Sequence, residues 1–490
     1  MRDKSLRRSA FVVALLIGVM LLPSALMTTA ANAARPKPSA KSSLVAYTNN
    51  QTADNGELTC EDGWTSREST VHPDSIRVWA SCTGDYEADI AEVLAFSDEM
   101  WEIETEFLGP PIPDLGTEEA GGDPAIDFYL VNRGESAPRE GPGAPSEGAL
   151  ASAHPTEPFE GRTTSSYVLA WREDVGTVDF RSTLLHEFFH VLQAAHNRES
   201  AFGVTALPLD DNYDTFYEGE NWWVESSAVW AETYFGRQIP DFGPAVARTH
   251  GRFVNNFQPV DEALHRPSYG GREGGLHMYA AYIWWLFLEQ EVGPEAVAEI
   301  WEGLEAVPAD DASRGTDVID AALPFAQHFR DFAVRNLNLA LEPGNPISPR
   351  YKDLDPNFPD NIPPVLKAGE GPEKTLQAQD EDEEPRRFDD TIKSLSADYY
   401  YFEPDAETQQ VTFDFSRLTP ATALDVDAIV KVKDKGWERR QLDPTNATTW
   451  CRSTPADNVE AFYLILSNHE KNILTTIKGD FTIAAQKAAC

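Results

Sequence analysis

Residues 184–197 read LLHEFFHVLQAAHN. Within this segment Glu187 lies between two histidines four residues apart, His186 and His190, and most other positions are apolar. Side chains four residues apart lie on one face of an α-helix, so both imidazoles can bind one metal ion. A glutamate beside them can accept a proton from water at that ion. The segment therefore predicts a helix that carries a Zn²⁺ site, with Glu187 as the general base.

A zinc site of this kind needs a third protein ligand, and the sequence offers two candidates. His196 has the spacing of the HExxHxxGxxH pattern, but Gln193 stands where that pattern has the glycine that turns the chain. With glutamine the helix continues, and His196 lies about 9 Å further along the axis than His190, at ~1.5 Å per residue. Glu225, in the apolar segment 221–236, is therefore the expected third ligand, and His196 is the alternative.

The segment 221–236 reads NWWVESSAVWAETYFG and has helical spacing. Ala228 comes one turn after Glu225, where a small side chain lets this helix pack closely against the first. Glu232 comes two turns after Glu225, on the same face, and can orient a ligand histidine through a hydrogen bond. A solvent-facing glutamate is the alternative interpretation of Glu232.

The combination of HEFFH with W-x-E-x-x-A-x-x-x-E resembles the gluzincin zinc metallopeptidases. It is most similar to a group of exported bacterial metallopeptidases with a WW-x-E-x-x-A-x-W-x-E second helix, and the similarity covers roughly 75–340. The resemblance implies a zincin-like domain and a peptide or protein substrate. It also implies zinc ligands at His186, His190 and Glu225, with Glu187 as the base.

Two features depart from the gluzincin pattern. Val229 stands where thermolysin-type enzymes have an aspartate, and the G-x-M-x-N motif of the related aminopeptidases is absent from the sequence, which favours an endopeptidase. Gluzincins supply a tyrosine or histidine from a downstream helix to stabilise the oxyanion. His277 and Tyr279 in GGLHMYAAY match that donor by their order in the chain; a structural histidine and a packed tyrosine are the alternative.

The N-terminus indicates export. A basic stretch, an apolar stretch and Ala-Asn-Ala at 31–33 follow in the order of a signal peptide. No later apolar run is long and uniform enough to span a bilayer, so we expect a secreted protein without a membrane span after cleavage. Cleavage removes four basic residues and one acidic residue, which changes the net charge from −40 to −43. Such a charge repels nucleic acid and anionic membranes. No pattern specifies an oligomeric state.

Four cysteines in an exported chain predict two disulfides. We expect Cys60–Cys82 and Cys451–Cys490, because each pair falls within one predicted domain. A separate acidic run has the oxygen ligands that Ca²⁺ uses, but not the EF-hand spacing, so a solvated loop is the other interpretation. Its members are Asp210, Asp211, Asn212, Asp214 and Glu218.

Hydrophobic periodicity predicts an α+β fold, because strands come first and helices follow. Strands are expected at 75–81, 125–131 and 165–171. The last of these is a candidate edge strand for pairing with extended substrate. Helices are expected at 88–109, 184–197, 221–236, 277–293, 294–306 and 324–341. Short alternating segments after residue 396 predict a small β-sandwich.

We accordingly expect five segments: a signal peptide (1–33), an N-terminal tail or short pro-segment (34–58), a zincin-like metallopeptidase domain (59–342), a linker rich in proline and acidic residues (343–395) and a β-sandwich domain (396–490). The expected activity is zinc-dependent peptide-bond hydrolysis. One alternative is a metzincin-like protease that uses His196. Another is a noncatalytic zincin-fold binding or surface protein that acts through its β domain, although such a protein has no use for a base at Glu187.

Overall fold

The computed structural model describes a large part of the chain, in two compact units. The described residues are 60, 63–114, 123–136, 144–145, 149–156, 163–197, 221–254, 264, 277–305, 315–337, 351, 375–380, 382–471 and 475–488. The first unit is Met1–Gly176, His190–Asp211 and Val307–Ala312, and the second is Thr177–Phe189, Asn212–Ala306 and Ser313–Cys490. The expected signal peptide, the N-terminal tail up to residue 58 and the acidic run at 210–218 lie outside the described residues.

The first unit contains a mixed five-stranded sheet. Its strands are β1 (Trp64–Glu68), β2 (Ile76–Ser81), β3 (Ile126–Val131), β4 (Ala151–Pro155) and β5 (Ser166–Trp171). Their order across the sheet is β1-β2-β3-β5-β4. The central strands β2, β3 and β5 run parallel, and β1 and β4 pair antiparallel at the two sides.

Strand β5 does not lie at the edge of this sheet, so the expectation that 165–171 is an edge strand was wrong. It pairs with β3 on one side and β4 on the other, and all six of its residues are buried. An almost continuous apolar run suits a strand that is covered on both faces. The edge position on that side is taken by β4, a short and only partly buried segment that the sequence analysis did not predict.

Helix α1 (Tyr86–Leu108) connects the parallel strands β2 and β3, as a parallel pair requires a crossover. It ends where the sequence predicts, at Gly109, whose positive φ of 89° suits a residue without a side chain.

The Cys60–Cys82 disulfide is present, with 6.2 Å between the Cα atoms. Cys451 is also disulfide-bonded, and its expected partner Cys490 lies outside the described residues.

Helix α2 (Val178–His196) is one continuous helix that contains the 184–197 segment. At its start, the hydroxyl of Thr177 accepts a hydrogen bond from the backbone N–H of Phe180 at 3.1 Å, as at a helix N-cap. At its end, the N–H of Asn197 still donates to the carbonyl of Gln193 at 2.8 Å. The helix therefore continues past Gln193, as expected for a residue other than glycine.

Among the described residues, seven helices lie wholly in the second unit: α3 (Asn221–Gly236), α4 (Gly243–Val254), α5 (His277–Ala280), α6 (Tyr282–Glu291), α7 (Glu295–Glu305), α8 (Gly315–Ala322) and α9 (Phe325–Leu337). Helix α6 is buried on all sides from Tyr282 to Leu288, which confirms its expected place in a core. The single helix expected at 277–293 is divided at Ala281. The carbonyl of Ala281 accepts a hydrogen bond from the N–H of Trp284, three residues later, as in a 3₁₀ turn.

The described residues of the C-terminal part of the second unit form two sheets. Their strands are β6 (Thr375–Leu376), β7 (Arg386–Ile392), β8 (Ser396–Pro404), β9 (Gln410–Asp414), β10 (Leu424–Val432), β11 (Gly436–Leu442), β12 (Thr448–Cys451), β13 (Val459–Asn468) and β14 (Ile477–Gln486). One sheet has the order β11-β10-β13-β8-β6 and the other β12-β9-β14-β7. A single hydrophobic cluster contains residues of both sheets. Strand β7 precedes residue 396, so the β structure begins earlier than expected.

Helix α9 is attached to the first of these C-terminal sheets. The guanidinium of Arg330 donates to the carboxylate of Asp427 at 2.6 Å, and the hydroxyl of Tyr399 donates to the carbonyl of Ala333 at 2.9 Å. The helices and the β-rich part of the second unit therefore share direct polar contacts.

Across the described part of the chain, we find no helix that combines the length and the apolar character needed to cross a membrane.

Candidate metal centre

Helices α2 and α3 bring three potential metal ligands together. One ligand atom from each of His186, His190 and Glu225 lies within 4.8 Å of the other two. The Nε2 atom of His186 is 3.2 Å from Oε2 of Glu225. A tetrahedral zinc ion with bonds of about 2.0–2.1 Å separates its ligand atoms by roughly 3.3 Å. The 3.2 Å separation of His186 and Glu225 is close to this value, so two imidazole nitrogens and one carboxylate oxygen could together hold such an ion.

Glu232 orients His186. Its Oε1 atom lies 3.0 Å from Nδ1 of His186, and its side chain is buried rather than facing solvent. A carboxylate at this distance accepts the Nδ1 proton, which fixes the ring tautomer and leaves Nε2 directed at Glu225. The position of Glu232 is the one the sequence spacing suggested for a residue that holds a ligand histidine.

Gln193 has the same relationship to His190, and sequence reasoning missed it. Its side-chain carbonyl Oε1 lies 2.7 Å from Nδ1 of His190, and both residues are buried. The two residues are three apart on helix α2, a spacing at which helix side chains meet. Each histidine of the cluster thus has its Nδ1 atom in a hydrogen bond. The i, i+3 spacing was the signal that could have identified Gln193.

His196 faces a different partner. Its Nε2 atom is 2.8 Å from the backbone carbonyl of Leu108, an acceptor that requires a proton on this nitrogen. Within the described ranges, the group of side chains able to share one ion comprises His186, His190 and Glu225, without His196. The geometry therefore favours Glu225 over His196 as the third ligand.

The electrostatics around His186 favour a positive charge. Burial lowers the pKa of His186, but hydrogen bonds to Glu225 and Glu232 outweigh it and raise this pKa well above its ordinary value. The negative charge of Glu187 acts in the same direction. An environment that stabilises a proton on this imidazole also stabilises a metal cation beside it, and the two compete for the same nitrogen.

Two other sequence-predicted residues lie on the short helix α5. The ring of Tyr279 is half-buried, and its centroid is 6.0 Å from that of His186. His277 precedes it by two residues and is almost fully buried. The structure thus places the ring of Tyr279 beside a potential metal ligand.

Helix α3 is fixed by its contacts with α6. The indole N–H of Trp285 donates to the hydroxyl of Ser226 at 2.7 Å, directly after Glu225 in the chain. The indole N–H of Trp230 donates to Glu289 at 2.8 Å. Because these aromatic side chains are buried, they restrict both rotation and sliding of the helix, and thereby position Glu225.

Comparisons with known proteins do not assign this arrangement to a family. No known protein family matches the chain, and no curated protein matches it either. The chemical interpretation of the site therefore rests on its own residues and their geometry.

Proposed function

We propose that this chain is an exported zinc-dependent peptidase, with endopeptidase activity favoured. The observation that carries the proposal is the cluster of His186, His190 and Glu225, with Glu187 next to His186 on the same helix. Two histidines and a glutamate form the ligand set of thermolysin-like zinc sites, which leave a coordination position open. The resemblance of HEFFH and WWVESSAVWAE to gluzincins supports the same function.

The chain's own residues supply the other requirements of hydrolysis. When bound, Zn²⁺ would lower the pKa of a coordinated water and polarise the carbonyl under attack. Glu187 accepts the proton of the attacking water and passes it to the leaving amine. Tyr279 donates a hydrogen bond to the carbonyl oxygen as negative charge develops there. Burial of both histidines limits the access of bulk water to the ligands.

A zincin-like catalytic domain and a C-terminal β-sandwich are part of the same proposal. The five-stranded mixed sheet, with helix α2 following strand β5 in the chain, supports the first. The hydrophobic cluster common to the two C-terminal sheets supports the second. The Cys60–Cys82 disulfide is compatible with the proposed export, since disulfides persist in oxidising compartments.

Zinc content and casein cleavage of purified variants test the function. We expect Glu187→Gln to keep zinc and lose cleavage, because it retains the ligands and removes the base. Glu225→Ala should lose both, and His196→Ala should keep zinc. Glu299→Gln, an exposed position on α7, is the matched control and should behave as wild type.

Two results would contradict the proposal in different ways. Zinc loss in His196→Ala together with full zinc in Glu225→Ala would identify His196 as the ligand and favour the metzincin-like alternative. A wild type that binds zinc stoichiometrically and cleaves neither casein nor a peptide library would favour the noncatalytic binding protein.

A further inference from the structure

We propose that Ser182 and Thr249 are positioning residues of the metal centre, which hold Glu232 against His186. This inference rests on the proposed zinc site and concerns the two hydroxyls, hereafter the hydroxyl pair. The Ser182 hydroxyl donates to Oε2 of Glu232 at 2.6 Å, and the Thr249 hydroxyl donates to the same oxygen at 3.1 Å. The other carboxylate oxygen, Oε1, accepts from His186.

The three side chains come from three different helices. Ser182 lies on α2 one turn before His186, Glu232 lies on α3, and Thr249 lies on α4. The two hydroxyl oxygens are 3.3 Å apart, so the pair closes around a single carboxylate oxygen. The arrangement therefore fixes Glu232 from the side opposite the histidine.

Helix α4 is itself held in place, so that Thr249 has a defined position. The next residue, His250, is hydrogen-bonded through Nδ1 to the hydroxyl of Tyr282 on α6 at 2.8 Å. The preceding residue, Arg248, forms an exposed ion pair with Asp179 on α2 at 2.5 Å. A Cβ atom at Gly236, the last residue of α3, would lie 2.9 Å from Cγ2 of Val246 on α4, so these helices meet closely.

Burial makes the hydroxyl pair important. Ser182, Glu232 and Thr249 are 7%, 8% and 6% exposed, so little water can replace a lost donor. A carboxylate oxygen that loses its donors in such a place turns towards whatever donor it can reach. Its hold on the His186 tautomer then weakens, and outer-sphere changes of this kind typically reduce metal affinity by about 10- to 100-fold.

The experiment compares the double variant Ser182→Ala/Thr249→Val with wild type, in the full chain. The zinc dissociation constant is measured by competition with a chromogenic chelator. We expect it to rise about tenfold or more in the double variant. The conservative variants Ser182→Thr and Thr249→Ser keep a hydroxyl and should stay within about twofold of wild type. Thr233→Val is the matched control, because it removes a buried hydroxyl on α3 that donates to the Trp230 carbonyl instead.

A second readout requires no metal. The chain has ten histidines, so selective ¹⁵N-histidine labelling can resolve the Nδ1 proton of His186 in the metal-free protein. We expect a slowly exchanging proton there in wild type and in Thr233→Val, and fast exchange in the double variant. The single variants Ser182→Ala and Thr249→Val provide the same test if the double variant does not fold.

The failure of this inference differs from the failure of the proposed function. If Glu232→Gln weakens zinc binding while the folded double variant binds zinc as wild type and retains the His186 proton, the hydroxyl pair has no positioning role. If wild type binds no zinc, the proposed function is wrong, and the exchange of the His186 proton alone then decides whether the pair holds Glu232.

Discussion

The Oε1 atom of Gln193 lies 2.7 Å from Nδ1 of His190, so the residue that interrupts the HExxHxxGxxH pattern holds a histidine of the candidate metal centre. A glycine at this position would remove that acceptor. The two histidines are consequently held by different groups: His186 by the carboxylate of Glu232 and His190 by a neutral amide. A carboxylate acceptor raises the basicity of a ligand imidazole more than an amide acceptor does.

Gln193→Ala should therefore weaken zinc binding about tenfold or more, because the tautomer of His190 is no longer fixed. Gln193→Gly should weaken it as well, and should not recruit His196. Chelator competition measures both. Gln327→Ala is the control, since that exposed glutamine on α9 bonds to Asp331. Zinc affinity in Gln193→Gly that depends on His196 would show that this helix can form the metzincin-like site after all.

Tyr279→Phe should lower kcat by about 100-fold and leave KM and zinc content nearly unchanged. The change removes one hydroxyl donor and keeps the ring beside His186, so the loss falls on the transition state. Steady-state kinetics on a fluorogenic peptide measure it. Tyr234→Phe, which keeps the ring stacked on Trp230, is the control. Full kcat in Tyr279→Phe with a large loss in His277→Ala would assign the donor role to His277.

The elements around the site could be predicted from sequence because their patterns are long. Helices α2 and α3 carry apolar side chains over 19 and 16 residues, enough to specify the period. Strand β4 has no such signal, because Ala151–Pro155 is short and poor in β-branched residues, and it depends on pairing with β5. The spacing of apolar residues also does not show which strands lie side by side in a sheet. For that reason the sequence analysis placed β5 at the edge.

The site was predictable only in part. The spacing of His186, His190 and Glu225 suggested that the three side chains meet, and zinc binding stays a prediction. Thr249 could not be found, because helix α4 was not predicted and a threonine hydroxyl is too common to signal a role. The sequence analysis used Gln193 only as evidence that the glycine of the HExxHxxGxxH pattern is missing. It did not consider what the glutamine side chain itself could bind.

Asp127→Asn should remove a pH-dependent loss of stability. Burial raises the pKa of Asp127 to about 7 from an ordinary value of 3.8, despite the hydrogen bond from Trp79, and the charge of Asp114 adds to the rise. The folded protein thus retains a proton that the unfolded chain loses near pH 4. The contribution of Asp127 to the free energy of unfolding is fully present below pH 4 and is lost as the pH rises to about 7. The loss is on the order of 4 kcal/mol in total.

Urea unfolding at pH 4, 6 and 8 measures the effect of Asp127→Asn. The stability of the variant relative to wild type should increase with pH across this range, because asparagine does not titrate. Tyr129→Phe is the comparison, since it removes a hydrogen bond to Asp127 and keeps the carboxyl, so its unfolding should retain the pH dependence. A constant difference between Asp127→Asn and wild type at all three values would show that the carboxyl is ionised in the folded state.

Asp427→Ala should destabilise the second unit by about 3–5 kcal/mol. The carboxylate of Asp427 is almost fully buried and bridges Arg330 on α9 at 2.6 Å and Arg439 on β11 at 2.7 Å. Its removal leaves two guanidinium groups close together without their shared acceptor, which costs more than the loss of one exposed pair. Asp389→Ala is the control, because that carboxylate on β7 is 87% exposed and should contribute less than about 1 kcal/mol.

The same variant tests whether the β-rich part is independent of the helices. On helix α9, Arg330 pairs with Asp427 and Phe329 packs against Trp284 of α6. The next residue of α6, Trp285, is hydrogen-bonded to α3 directly beside Glu225. Asp427→Ala should therefore speed hydrogen exchange in helices α3 and α6 as well as in the sheets. Hydrogen exchange resolved by segment measures both effects. Faster exchange confined to β8, β10 and β13, with α6 unchanged, would show that the β-rich part unfolds on its own.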